Sequence, residues 1–195
     1  MEGTNTIFFV KYDEIPKDRI KDVTYGRIVV DYRPQKSEPH RTRLTVGGNL
    51  IKYPGDVSTP TADMTAAKVL FNSILSTPNA KFMSIDIKNF YLGTPMERYE
   101  YVKIKVELIP EEIITQYDLQ KKIHNGFIYC EVRKGMYGLP QAGMIANKLL
   151  QKRLKTKGYY QVKHTPGLWK HTWRPIMFVL VMDDFGIKYV GKEHA

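Results

Sequence analysis

Cysteine is almost missing from this sequence, which contains one, Cys130, in 195 residues. A single cysteine excludes an intramolecular disulfide framework and a cysteine-based zinc site. It lies in an alternating apolar stretch, residues 127–132, and a reducing compartment suits it best. Because 43% of the residues are hydrophobic, the chain can bury a core of its own without a disulfide or a structural metal.

Long apolar runs are missing as well. The longest, residues 176–182, has the length of a strand and falls far short of the roughly 18 residues that a membrane-spanning helix needs. The first five residues are largely polar, so we predict no secretory signal peptide. We therefore expect no membrane partner and a cytoplasmic protein, with the nucleus as the alternative location.

Acidic residues are scarce relative to basic ones, and the formal net charge is +10. The excess is greatest near the end, where residues 151–195 contain nine lysines and arginines and three acidic residues. Such a surplus favours a polyanionic partner such as nucleic acid, through phosphate contacts and counterion release. An ordinary soluble basic domain explains the same composition.

The hydrophobic periodicity predicts an α+β protein. Period-two stretches predict strands at residues 6–10, 27–32, 41–46, 82–87, 99–105, 127–133, 169–172, 176–182 and 187–190. Helical periodicity predicts helices at residues 61–76, 110–117 and 141–155, the last ended by Gly158. The order is neither strictly alternating nor segregated, which favours α+β with a largely antiparallel sheet.

Three aspartates follow apolar strands. Asp183 and Asp184 end the strand at 176–182, and Asp86 comes at the end of the strand at 82–87. Adjacent carboxylates repel each other, and a bound divalent cation is a common compensation. Convergence of all three would hold one or two Mg²⁺ ions, the arrangement of two-metal phosphoryl transfer. A solvated turn, where aspartate is common, is the alternative for the Asp183-Asp184 pair alone.

Four blocks in order resemble the reverse transcriptases of copia-type LTR retrotransposons. They are RTRLTVGG at 41–48, DIKNFYL at 86–92, KGMYGLPQA at 134–142 and VMDD at 181–184. The likeness spans about residues 25–195. It implies a right-hand polymerase with a fingers hairpin at about 25–60, a palm at about 61–195 whose antiparallel sheet packs on helices, and an N-terminal extension of strand and loop at 1–24.

The resemblance also implies an activity, RNA-directed DNA synthesis with nucleotidyl transfer from dNTPs to the 3′-hydroxyl of a primer on an RNA or DNA template. Asp86 and Asp183 would be the principal ligands of two Mg²⁺ ions, for which Mn²⁺ could substitute, and Asp184 a less direct carboxylate. Neighbouring residues of an extended strand point to opposite faces, so unequal roles are expected for the adjacent pair.

Further roles are implied for residues that would bind the dNTP. Arg43, and with less support Arg41, would contact the triphosphate, because a guanidinium binds phosphate oxygens bidentately. Tyr91 would lie beneath the deoxyribose and exclude a 2′-hydroxyl, and Gln141 would contact the nucleotide from a helix N-terminus. The corresponding structural alternatives are a solvated strand face, a core aromatic residue and ordinary polarity at the start of a helix.

The predicted helix at 141–155 has a basic face that suggests contact with the backbone of template or primer. Its members are Lys148, Lys152, Arg153 and Lys155. A solvated helix face is the equal alternative.

The sequence departs from the family at Val181, where the family mostly has an aromatic residue that supports the primer end. The family's thumb and RNase H domain follow the last block, and this sequence contains neither, so we expect a fragment that holds its primer weakly. Its expected partners are the remainder of the Pol polyprotein (thumb, RNase H, integrase), within virus-like particles. The alternative is a catalytically silent fragment that only binds nucleic acid.

Overall fold

The computed structural model describes residues 4–195 and confirms the α+β class. The strands are β1 (Ile7–Val10), β2 (Thr24–Tyr32), β3 (His40–Val46), β4 (Ala80–Asp86), β5 (Pro95–Lys105), β6 (Phe127–Lys134), β7 (Tyr159–Gln161), β8 (Leu168–His171), β9 (Ile176–Val181) and β10 (Asp184–Val190). The helices are α1 (Met64–Leu75), α2 (Glu111–Gln116) and α3 (Ala142–Thr156). Among these, β7 was not predicted from the sequence.

The chain forms two compact units, and it crosses between them more than once. The first unit contains residues 4–57 together with Tyr91–Ala142, and the second contains Ser58–Phe90 together with Gly143–Ala195. The two units do not coincide with the segments at 1–24, 25–60 and 61–195, which stay predictions: residues 91–142 fall in the first unit, and β1 pairs with β6 in its sheet.

The first unit is built on a five-stranded sheet in the order β1-β6-β5-β2-β3. Its pairings are antiparallel except for a short parallel contact between β2 and β5. The predicted long hairpin is confirmed as β2 and β3, whose register runs from Gly26 opposite Val46 to Tyr32 opposite His40. Residues that alternate along β5 and β6, such as Val102, Ile128 and Val132, are fully buried, as a sheet with a covered face requires.

The second unit has an antiparallel sheet in the order β4-β10-β9-β8-β7 with a helix on each face. Alternation in β9 divides its apolar residues between the two helices. Met177 and Val179 pack with Leu70 of α1, whereas Phe178 and its neighbours pack against Leu150 and Leu154 of α3. Both helix-facing sides are therefore apolar, which explains why β9 reads as a continuous apolar run.

Local chemistry sets the helix ends. Asp63 caps α1 by accepting a hydrogen bond from the Ala66 amide at 2.7 Å, so α1 begins later than the predicted start at residue 61. Gly158, with φ of +83°, follows α3 as predicted. No helix within residues 4–195 has both the length and the apolar character needed to cross a membrane.

Candidate active site

The three aspartates lie together at one end of the second sheet. Asp184 at the start of β10 is directly opposite Asp86 at the end of β4. Val181 is opposite Asp184, so Met182 and Asp183 form a two-residue turn between β9 and β10. The amide of Ile87 donates to the Asp183 carbonyl at 3.1 Å and fixes the turn to β4. The convergence expected from sequence is therefore present in the backbone.

The turn imposes an unusual backbone on Met182, whose φ is +60°. A non-glycine residue in the left-handed region costs about 1 kcal/mol or more, and such residues concentrate at functional sites. Asp183 thus belongs to a turn and not to an extended strand, so the expected opposite orientation of Asp183 and Asp184 does not follow from strand alternation here.

Asp86 and Asp184 project from the same face of the sheet. Residues directly opposite each other in an antiparallel pair share a face, with Cβ atoms about 5 Å apart. In β4 this is the face of Phe82, whose ring contacts Phe71 of α1 at 5.3 Å. Phe185, the next residue in β10, lies on the other face with the α3 side of the core. The carboxylates of Asp86 and Asp184 therefore lie on the α1 side.

The electrostatics of the cluster are uncompensated. Partial burial raises the pKa of Asp183 above its ordinary value, and the charges of Asp184 and Asp86 raise it further, against the opposing effect of a backbone hydrogen bond. No basic side chain in residues 4–195 forms an ion pair with any of the three. A cation bound there would relieve this repulsion.

The donor set fits Mg²⁺ in chemistry, since carboxylate oxygens are the ligands that this hard cation prefers. The side chains are not arranged as a finished cage, because no three acidic, histidine or cysteine side chains of the described chain are placed to hold a metal ion. Asp86 and Asp184 are exposed and can turn. The residues suited to hold a metal are thus Asp86, Asp183 and Asp184, after rotation toward a common point.

Two of the predicted nucleotide-binding residues, Arg43 and Tyr91, contact one aromatic side chain in the first unit. The guanidinium of Arg43 lies 5.4 Å from the Tyr137 ring centroid, and Tyr137 meets Tyr91 edge to face at 5.1 Å. Arg43 has no ion pair with any described residue, and its buried Nε has no hydrogen-bond partner. Its charge is therefore available to an anionic ligand. Arg41 is opposite Asp31 in the hairpin and likewise forms no ion pair within residues 4–195.

The two blocks that contain Arg43 and Tyr137 are held together by glycines. The Val46 amide donates to the Tyr137 carbonyl at 2.8 Å. A Cβ added at Gly48 would lie 1.8 Å from the Gly138 carbonyl oxygen, and one added at Gly138 would lie 2.0 Å from the Val46 oxygen. Only glycine permits this backbone contact. Sequence reasoning did not select Tyr137, although its position between glycines in the third block was a usable signal.

Gln141 is in a buried polar network that sequence reasoning missed. Its Nε2 donates to Glu100 at 3.0 Å, while its Oε1 is buried without a partner. Glu100, fully buried in β5, also accepts from Arg19 at 2.8 Å and lies 3.7 Å from Arg98. Burial is the largest influence on Glu100 and raises its pKa, although both arginines and Gln141 oppose it. The amide of Gln141 is thus engaged in the first unit's core, and its contact with a nucleotide stays a prediction.

The predicted nucleic-acid-binding residues of α3 are exposed, as expected, but they lie on the side away from the carboxylates. They are Lys148, Lys152, Arg153 and Lys155. Because α3 packs on the Phe185 face of the sheet, its solvent face points away from the α1 side, where Asp86 and Asp184 project. A duplex bound at the carboxylates would not touch these cations from the same side.

Comparison with known proteins adds no relative: no protein-family profile matches the chain, and no curated protein matches it significantly.

Proposed function

We propose that this chain is the fingers and palm of an RNA-directed DNA polymerase of the copia retrotransposon type. The observation that carries the proposal is the register that sets Asp86 opposite Asp184 with Asp183 in the adjoining turn. Three carboxylates without a cationic partner match the needs of two-metal nucleotidyl transfer. The first unit would supply the fingers through the β2–β3 hairpin, and the second would supply the palm.

Asp86, Asp183 and Asp184 would hold two Mg²⁺ ions, which when bound activate the primer 3′-hydroxyl and neutralise charge on the triphosphate. The contribution of the chain itself is to hold the backbone of the three aspartates together, because β10 pairs with β4 on one side and with β9 on the other. A backbone placed in advance leaves only side-chain rotation for the carboxylates to complete.

Arg43 would bind the triphosphate of the incoming dNTP. Its support is a guanidinium with no ion-pair partner among residues 4–195, oriented by stacking on Tyr137. Tyr91, which packs edge-on against the same ring, would form one wall of the site for the deoxyribose. In this arrangement Tyr137 couples the residue that binds phosphate to the residue that selects the sugar. The remainder of the Pol polyprotein and a virus-like particle are the proposed setting.

Primer extension tests the proposal directly. The chain is incubated with a DNA primer annealed to an RNA template, dNTPs and Mg²⁺, and product is resolved by length. We expect nucleotide incorporation by the wild type, and a rate at least about 100-fold lower in Asp183→Asn. Metal ions stabilise the transition state by several kcal/mol, and each loss of about 1.4 kcal/mol lowers the rate tenfold. Asp118→Asn, a change at an exposed acid with left-handed backbone, serves as the matched control and should leave the rate unchanged.

The same experiment distinguishes the polymerase proposal from its alternative, a catalytically silent fragment that only binds nucleic acid. That alternative draws support from Val181, which stands where the family mostly has an aromatic residue that supports the primer end. If the chain binds primer–template but incorporates no nucleotide at any Mg²⁺ or Mn²⁺ concentration, the polymerase proposal is wrong and the binding function remains.

A further inference from the structure

Helix α3 connects the catalytic turn to the opposite end of the second sheet. Near its start, a Cβ placed on Gly143 would be 3.6 Å from the methyl group of Met182 in the turn. Just beyond its end, the carbonyl of Lys157 lies 3.0 Å from His171 Nε2, where β8 leads into the β8–β9 turn. The axis of α3 therefore runs from beside the β9–β10 turn to the β8–β9 turn.

His171 fixes the conformation of the β8–β9 turn. Its Nδ1 accepts hydrogen bonds from the backbone amides of Trp173 at 3.2 Å and Arg174 at 3.1 Å. A ring nitrogen that accepts carries no proton, so Nε2 carries the hydrogen of the neutral ring and donates to the Lys157 carbonyl. One buried side chain thus joins the end of α3 to the β8–β9 turn.

The turn presents an aromatic residue to solvent. Trp173 is 69% exposed, whereas Trp169, the other tryptophan, is 1% exposed. The Arg174 guanidinium lies 4.9 Å from the Trp173 ring, and the His171 ring meets it edge-on at 5.3 Å. An indole exposed to water loses the free energy that burial would provide, so an indole held outward by a hydrogen-bonded turn suits a stacking ligand.

The chain segment that contains this indole is strongly basic, although Glu193 lies beside His194, whose ring meets Trp173 at 5.9 Å. Residues 132–182 contain ten lysines and arginines and no aspartate or glutamate. Lys148, Lys152 and Lys155 repeat at four- and three-residue spacing, so they form one stripe along the exposed face of α3. Lys157 is exposed beside the turn. A phosphate backbone is complementary to such a stripe, and bases stack on exposed aromatic residues whatever their sequence.

We propose that α3 and the β8–β9 turn form a binding site for single-stranded nucleic acid. A base stacks on Trp173 beside Arg174, and phosphates follow Lys155, Lys152 and Lys148 along the helix. Because α3 covers the face of the sheet away from Asp86 and Asp184, the bound strand is not the duplex under extension. It is unpaired, because only an unpaired base can stack on the exposed Trp173 ring. The site rests on the proposed function only in sharing its partner, nucleic acid, and it requires no catalysis.

Tryptophan fluorescence tests the site with an internal reference. Titration with a single-stranded oligothymidylate of about twelve nucleotides should quench the exposed Trp173. In Trp173→Phe the remaining emission comes from buried Trp169 and should not respond, while affinity persists because phenylalanine still stacks. Trp173→Ala should weaken binding about 5- to 100-fold, the range for loss of one stacked base.

Further variants test whether binding depends specifically on Trp173 and on the lysine stripe of α3. Tyr160→Ala removes an exposed aromatic of β7 and should leave affinity unchanged. Lys152→Gln with Lys155→Gln should lower the salt dependence of binding by about 1.4 in the log–log slope. Equal affinity of Trp173→Ala and wild type, or equally tight binding of duplex, would overturn the site. Asp183→Asn should bind the oligonucleotide normally, so loss of polymerase activity and loss of this site are distinguishable.

Discussion

Replacement of Gly138 by alanine tests whether the contact between the third block and the β2–β3 hairpin stabilises the first unit. Gly138 has φ of +95°, and its new Cβ would lie 2.0 Å from the backbone oxygen of Val46. A backbone oxygen cannot rotate away as a side chain can. The loop must therefore move and break the Val46–Tyr137 backbone hydrogen bond of 2.8 Å.

Two costs add in Gly138→Ala. The backbone conformation costs an alanine about 1–2 kcal/mol, and loss of the hydrogen bond costs about 1 kcal/mol more, or above that if its groups stay buried. The total of about 2–4 kcal/mol corresponds to a fall in melting temperature of about 5–15 °C for a chain of this size. Thermal unfolding followed by circular dichroism, with a urea titration for the free energy, measures both.

Gly126→Ala is the control, because Gly126 also has a positive φ, +77°, but its added Cβ meets nothing within 4 Å. It bears the conformational cost alone and should be the milder change by at least about 1 kcal/mol. Equal destabilisation by the two substitutions would refute the argument that backbone contact makes glycine necessary at Gly138.

Four further outcomes follow from buried groups and from the hairpin. Glu100→Gln should flatten the pH dependence of the free energy of unfolding, measured by urea titrations at several pH values. Burial raises the pKa of Glu100. In the wild type, this group therefore stabilises the fold at pH values below the ordinary glutamate pKa, and the stabilisation is lost as the pH rises through the raised pKa. Glu100→Ala leaves the buried amide of Gln141 without its acceptor, while Arg19 and Arg98 keep their ion pairs with Asp22, and it should cost about 1–3 kcal/mol. Cys130, buried with its pKa raised to about 12, should resist iodoacetamide in the folded protein and react once urea unfolds it. Arg43→Ala should raise the KM for dNTP with a smaller change in kcat, and an unchanged KM would remove Arg43 from the triphosphate site.

Most elements could be predicted from sequence because their periodicity is strong. The strands β3, β6 and β9 and the helices α1 and α3 all appear within a few residues of the predicted ranges. The three-residue β7 was missed since so short a segment shows no period. The N-terminal strand was predicted, but its pairing with β6 was not, because pairing across more than a hundred residues leaves no local signal.

The candidate site was predictable in its residues and not in its geometry. The ends of apolar strands identified Asp86, Asp183 and Asp184, yet the order β4-β10-β9 that brings them together is non-local. A turn was the sequence-based alternative for the Asp183-Asp184 pair, but only the register shows that Asp183 lies in the turn while Asp184 begins β10. The partners of Gln141 were hidden for the same reason, since Glu100 is 41 residues away along the chain. The sequence could not show that α3 lies on the face away from the carboxylates, because that depends on which apolar residues of the sheet pack against each helix.

A titration with Mn²⁺, followed by paramagnetic broadening of backbone NMR signals, tests the central claim that the three aspartates form one divalent-metal site. We predict saturable broadening centred on the end of β4 and the β9–β10 turn, competed by Mg²⁺, lost in the Asp86→Asn, Asp183→Asn double variant and retained in Asp118→Asn. Broadening that is absent from these residues, or that persists unchanged in the double variant, would contradict the claim.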